Sequence, residues 1–109
     1  MLSIYIGNSN IALLNGVKTA LGEVDDGATI TITLYESDGT TEVVGQLWPA
    51  SMYNEPDQGG RYGATLENDL VLSLNHTYIA EVNGLGSNSE VLHIREKCTA
   101  VNRGSDPSC

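Results

Sequence analysis

Residues 28–35 read ATITITLY and decide the fold class of this chain. Ile30, Ile32 and Leu34 alternate with threonines, which is the period of two expected of a strand with one buried face. The β-branched side chains at five of these eight positions also favour an extended backbone. The segment therefore predicts a half-buried β-strand, and the neighbouring segments can be interpreted from it.

A reversal is predicted directly after this strand. Residues 37–40 read SDGT, a combination of Ser, Asp and Gly that suits a tight turn. Residues 41–48, TEVVGQLW, are then predicted to form the hairpin partner of the first strand. Pro49 ends that partner or lies at its edge, because proline has no N–H to donate to a sheet.

The same alternation recurs along the rest of the chain. It predicts further strands at residues 61–66, 70–74, 78–82 and 91–94, and shorter ones at 2–6 and 11–14. No window of about eleven or more residues carries apolar residues at helical spacing, and residues 17–21 are too short for a stable helix. The predicted core-facing residues are Ile30, Ile32, Leu34, Tyr62, Ala64, Leu66, Leu72, Leu74, Tyr78, Ala80 and Val82.

The number of strands and their spacing predict an all-β fold, a single antiparallel β-sandwich of seven or eight short strands. A small barrel is the alternative architecture. The length of 109 residues fits one domain. We assign residues 1–96 to the sandwich and residues 97–109 to a flexible or partner-bound C-terminal tail. The N-terminus has neither a basic region nor a long apolar run, so we expect a soluble protein made without a signal peptide.

Charge argues against two classes of partner. The formal net charge is −9, and the five Lys and Arg residues are scattered along the chain. A nucleic-acid binder needs a basic stripe that neutralises phosphates, and an anionic membrane surface attracts basic segments. We therefore expect neither nucleic acid nor membrane as a partner, and interpret the acidity as a source of solubility.

Candidate catalytic residues are few. His76 lies in a predicted turn and His93 on a predicted strand, and no Gly-x-Ser-x-Gly motif accompanies them. We expect both histidines to be structural and the protein to lack catalytic residues. Acidic residues in the loops offer a pair for glycosidase chemistry or ligands for Ca²⁺, but turn formation explains them more simply, and the spacing of a calcium loop is absent. These residues are Glu23, Asp25, Asp26, Glu55 and Asp57.

The two cysteines, Cys98 and Cys109, fall after the last predicted strand. Without an export signal we expect free thiols; a tail disulfide and an inter-subunit bridge are the alternatives. Zinc is not expected, since no histidines stand at finger-like spacing. The sequence Gly84-Leu85-Gly86 lacks the third glycine and the context of a phosphate loop. No cofactor or metal is predicted.

Residues 70–78 carry one more local pattern. A leucine-alternating segment enters a tight turn and then delivers Tyr78 to the inside of the next strand. This is similar to the tyrosine corner of immunoglobulin-like folds, in which a buried phenol bonds to the backbone a few residues upstream. The pattern favours an immunoglobulin-like sandwich, although the cysteine pair of antibody domains is missing.

Five segments together carry a wider resemblance: NIALLNGV at 10–17, DGATITITL at 26–34, GQLWP at 45–49, GRYGATL at 60–66 and LSLNHTY at 72–78. They resemble small immunoglobulin-like structural proteins of tailed bacteriophages. The resemblance implies a virion component made in the host cytoplasm, either a head decoration or cement protein or a head-tail connector subunit. Its implied partners are capsid, portal or tail subunits in many symmetric copies, and it implies no catalytic residues.

A competing hypothesis is a carbohydrate- or receptor-binding tail module, since loops on a β-sandwich often carry binding sites. Sugar stacking needs exposed aromatic rings, and Tyr35, Trp48 and Tyr53 are the candidates. An enzyme is the third and weakest hypothesis. The structure bears on these alternatives through the exposure of the three rings.

Overall fold

The structure is a computed structural model that describes residues 6–7, 9–55 and 59–101. Within these ranges the fold is all-β, as predicted, and contains no helix. The strands are β1 (Asn10–Leu14), β2 (Thr29–Tyr35), β3 (Ala50–Glu55), β4 (Arg61–Leu66), β5 (Thr77–Leu85) and β6 (Val91–Thr99).

All six strands form one curled antiparallel sheet in the order β1-β4-β3-β2-β5-β6. Strand β3 divides its pairing along its length: residues 50–52 pair with β2, and residues 53–55 pair with β4. Strand β3 therefore joins two halves of the sheet, one made of β1 and β4 and the other of β2, β5 and β6.

The core lies on the concave face, to which both halves contribute alternate residues. Tyr62 and Leu66 of β4 are buried with Ile32 and Leu34 of β2 and Val82 of β5. Of the eleven residues predicted to face the core, nine are buried, Leu72 is half-buried, and Leu74 is 50% exposed. The strands predicted around residues 11–14, 28–35, 61–66 and 78–82 are confirmed.

The predicted hairpin partner at residues 41–48 is wrong beyond its first residues. The turn forms, with Glu36 N–H donating to Thr41 O at 2.7 Å and Val43 N–H donating to Leu34 O at 2.9 Å. The Val43 carbonyl then accepts a bond from the indole N–H of Trp48 at 2.8 Å. Because the Trp48 side chain bonds to this carbonyl, the hydrogen-bond ladder between residues 34–36 and 41–43 does not continue. Strand β3 is the neighbour of β2 instead.

The predicted strand at residues 70–74 is also wrong. Leu70 is buried, but Val71 N–H donates to the Val44 carbonyl at 2.9 Å, and Ser73 N–H donates to the hydroxyl oxygen of Tyr78 at 2.7 Å. These bonds tie the segment to a loop and a side chain rather than to a strand. The leucine alternation there therefore belongs to a loop that covers the core.

Strand β6 is longer than predicted. It runs to Thr99, Ala100 is buried, and the Val101 carbonyl accepts a bond from Ile6 N–H at 3.0 Å. The predicted boundary at residue 97 therefore falls inside β6. Residues 102–109, and residues 2–5 of the predicted first strand, lie outside the described part of the chain.

The expectation of a free thiol at Cys98 is wrong. Cys98 forms a disulfide bond and is 1% exposed on the inner face of β6. Cys109, its only possible intrachain partner by sequence, lies outside the described residues. The expectation failed because it placed Cys98 in a tail, whereas the extended β6 carries this residue into the core.

Candidate functional site

Asp25 is the most deeply buried of the candidate carboxylates, at 3% exposed. Its Oδ2 accepts a hydrogen bond from Ser87 N–H at 3.0 Å, and its Oδ1 accepts one from Gly27 N–H at 3.0 Å. The Ser87 bond holds the pKa of Asp25 below its ordinary value of 3.8, against an opposing effect of desolvation and with help from Gly27. Asp25 is therefore an ionised side chain that ties its own loop to the β5–β6 turn.

Tyr62 closes the same loop from the core side. Its hydroxyl donates to the Asp25 carbonyl at 2.7 Å and accepts a bond from Ala28 N–H at 3.0 Å. Burial raises the pKa of Tyr62 above 10.0, so the phenol stays a neutral donor at ordinary pH. This tyrosine fixes the approach of the chain to β2.

Two of the other candidate carboxylates, Asp26 and Glu55, are also held by protein groups. Asp26 Oδ1 accepts bonds from Gly60 N–H at 2.8 Å and from the Asn54 amide at 2.9 Å. Glu55 forms an ion pair with Arg61 at 3.3 Å. Turn formation is thus confirmed for Asp25, whereas Asp26 bridges segments distant in sequence. Glu23 is exposed, and Asp57 lies outside the described residues.

The two histidines lie near opposite ends of the β5–β6 pair. His76 is exposed in the turn before β5, while His93 on β6 is paired in register with Asn83 near the other end of β5. At about 3.3 Å per strand residue they are roughly 20 Å apart along the sheet. They do not form one site.

A polar cluster surrounds Glu81 on the outer face of β5 and β6. The Glu81 carboxylate accepts bonds from the Asn83 amide at 2.9 Å and Arg95 Nε at 2.7 Å, and His93 Nε2 lies 3.5 Å away. The bonds from Asn83 and then Arg95 lower the pKa of Glu81. The guanidinium of Arg95 also lies 5.8 Å from the ring centre of Tyr35.

The three candidate aromatic rings differ in exposure. Trp48 packs against the core, and Tyr35 is half-buried beside Arg95. Tyr53 on β3 is 72% exposed and lies directly across from Gly63 on β4, which has no side chain to cover the ring. It lines a shallow groove of about 510 Å³, together with Ile11, Ser51, Thr65 and Glu67 among others.

A second depression lies between the end of β1, with the residues that follow it, and the start of β6, and we call it the seam cleft. Its volume is about 210 Å³. Its apolar walls come mainly from Leu14, Val17, Ala28, Ile30, Leu92 and Ile94. Lys18, Asp25 and Glu90 also line it. Sequence reasoning missed this site, because its members are up to about eighty positions apart and no local motif joins them.

Strand β6 forms one border of the sheet. Among the described residues it pairs with β5 alone. Val91 at its start is 84% exposed, and His93, Arg95 and Lys97 alternate after it on the outer face. Two of the five Lys and Arg residues of this acidic chain therefore stand on one strand.

Within residues 6–7, 9–55 and 59–101, no group of three or more His, Cys, Asp and Glu side chains is arranged to hold a metal ion. No helix in the described part of the chain is long and apolar enough to cross a membrane. Comparison with known protein families, with curated proteins and with solved structures finds no match to this chain.

Proposed function

We propose that this chain is a non-enzymatic structural subunit of a tailed-bacteriophage virion, of the head decoration, cement or head-tail connector kind. It docks on capsid, portal or tail subunits in many symmetric copies. The chemistry of the site supports a binding role, because the carboxylates of buried Asp25 and exposed Asp26 are engaged by backbone and amide donors.

The finer architecture that we propose is an immunoglobulin-like sandwich. The two halves joined by β3 correspond to its two packed sheets. The hydroxyl of buried Tyr78 accepts a bond from Ser73 N–H, five residues upstream, as in a tyrosine corner. This geometry supports the part of the resemblance carried by residues 72–78.

The observation that carries the docking proposal is the border strand β6. A long strand with one unpaired side is a template for another strand, and monomeric proteins usually shorten or cover it. Here β6 is nine residues long, begins with an exposed valine, and carries cations on an otherwise acidic chain. A partner strand with acidic residues at alternate positions fits this edge by hydrogen bonding and by charge.

The test is incorporation of tagged protein into purified particles. Lys97→Glu reverses a charge on the outer face of β6, and Lys18→Glu makes the same change in net charge outside β6, in the bridge that Lys18 forms with Val24. We expect reduced incorporation of the Lys97 variant and normal incorporation of the Lys18 variant. Equal incorporation of both variants would show that docking does not depend on the charge on β6. Absence of the intact protein from particles would overturn the structural function itself.

Tyr53 favours a second candidate function, a carbohydrate- or receptor-binding tail module. Its exposed ring opposite Gly63 offers a flat apolar surface, and the groove beside it has hydroxyl and carboxylate groups that can bond to sugar hydroxyls. Glycan-array binding by the isolated protein, lost in Tyr53→Ala and kept in Tyr35→Ala, would support this function. Particle incorporation without glycan binding would favour the structural one.

A further inference from the structure

Two carboxylates of the seam cleft have no cation within 4.0 Å among the described residues, although Lys18 also lines the cleft. Asp25 Oδ2 and Glu90 Oε1 converge beside Gly86: a Cβ at that glycine would lie 3.2 Å from the first oxygen and 2.7 Å from the second. Asp25 is almost fully buried, and Glu90 is half-buried. Two carboxylates thus meet at the border of an apolar space.

Both carboxylates have neutral partners only. Asp25 accepts N–H bonds from Gly27 and Ser87, and Glu90 accepts N–H bonds from Ala20 at 2.7 Å and Asn88 at 3.2 Å. In the described part of the chain, no Lys, Arg or His nitrogen lies within 4.0 Å of either carboxylate.

The two carboxylates can accept more hydrogen bonds than they do. A carboxylate with two accepted bonds still has free lone pairs, and an ammonium has three donors. One ammonium group can therefore form charge-assisted bonds to both Asp25 and Glu90.

The walls of the cleft define the rest of the ligand. They are aliphatic, from Leu14, Val17, Ile30, Leu92 and Ile94. A dry cavity of roughly 150 Å³ with such walls holds a benzene molecule. At about 210 Å³ the seam cleft has room for a short alkyl chain with a charged end.

We propose that the seam cleft binds a primary alkylammonium group, with its ammonium between Asp25 and Glu90 and its carbon chain against Leu92 and Ile94. The same chemistry belongs to the lysine side chain of a partner protein and to a free aliphatic amine. This site shares Leu92 and Ile94 with β6, but the proposal does not depend on the virion function.

The first experiment compares three probes of equal length on the full chain by calorimetry and thermal shift: hexylamine, hexanol and hexanoate. We expect hexylamine to bind and raise the melting temperature, because a ligand bound only to the folded state stabilises it. Hexanol should bind about tenfold more weakly, since it lacks the charge-assisted bonds to the carboxylates. Hexanoate should not bind. Equal affinity for hexylamine and hexanol would overturn the proposal.

Variants locate the site. Glu90→Gln should weaken hexylamine binding and leave hexanol binding unchanged, whereas Glu67→Gln, the same change in the groove beside Tyr53, should affect neither. Lys18→Met should tighten hexylamine binding, because it removes a like charge from the cleft. Unchanged hexylamine affinity in a folded Glu90→Gln protein would overturn the proposal.

A filling variant covers the case in which Glu90→Gln does not fold. Ala28 lines the cleft, and Ala28→Leu places three more carbon atoms there, so binding of both hexylamine and hexanol should fall. Retained binding of both would show that the ligand lies elsewhere. Nα-acetyl-lysine methylamide then distinguishes the sources: tighter binding than hexylamine indicates a partner's lysine, and weaker binding indicates a free amine.

Discussion

Replacement of Tyr62 by Phe should be more destabilising than the same removal of a hydroxyl from Tyr53 or Tyr78. The hydroxyl makes two bonds, to the Asp25 carbonyl and from Ala28 N–H, and the ring is buried. Each lost bond that leaves a buried group unpaired costs about 1 to 1.5 kcal/mol, so the sum is about 2–3 kcal/mol. For a domain of this size that corresponds to roughly 8–12 °C in melting temperature.

Two matched variants test the reasoning. Tyr78→Phe removes one bond, to Ser73 N–H, and should cost about 1 kcal/mol. Tyr53→Phe removes an exposed hydroxyl and should be nearly neutral. Urea unfolding with a shared m-value gives the three free energies of unfolding. If Tyr62→Phe costs no more than Tyr53→Phe, the hydroxyl does not hold the loop before β2, and the argument fails.

Three further predictions concern single residues. NMR titration should find a pKa of about 2 for Asp38, chiefly because the Thr41 hydroxyl donates a hydrogen bond to its carboxylate. The ionised carboxylate therefore stabilises the fold above its ordinary pKa of 3.8, and this stabilisation is lost as the pH falls through about 2. Thr41→Val should raise this pKa. Gly45→Ala should lower the melting temperature strongly, since φ is 120° and a Cβ would lie 2.4 Å from the Asp69 carbonyl oxygen. Thiol titration without reductant should find Cys98 unreactive, and a full equivalent of free thiol there would contradict the disulfide.

Alternation of apolar residues predicts a strand correctly where neighbouring strands bond to the backbone N–H and C=O groups. Residues 28–35 and 61–66 pair along their lengths with other strands, so their period of two matches their burial. Residues 70–74 show the same period but bond to the Val44 carbonyl and the Tyr78 hydroxyl. A sequence pattern shows which side chains are apolar but not which acceptor each backbone N–H bonds to. The acceptor depends on the tertiary structure.

The candidate sites show the same difference between local contacts, which the sequence predicts, and contacts between distant positions, which it does not. The turn role of Asp25 was predictable, because its bond to Gly27 N–H is local. Its bond to Ser87 joins positions 62 residues apart, and the Ala20–Glu90 bond spans 70 residues. The seam cleft exists only because these distant bonds bring two loops together at the border of the sheet. No single-sequence pattern contains that information.

The charge on β6 also bears on what kind of strand can pair with it. If two copies of β6 paired antiparallel about Arg95, each Arg95 would face its counterpart and each His93 would face a Lys97. Like charges directly opposite one another destabilise a pair of strands. A shift by two residues in one direction places Arg95 opposite Lys97, and a shift by one turns apolar Ile94 towards the outer face. As far as the described residues show, the edge therefore favours an acidic strand over these pairings with its own copy, which fits the proposed docking on a different protein.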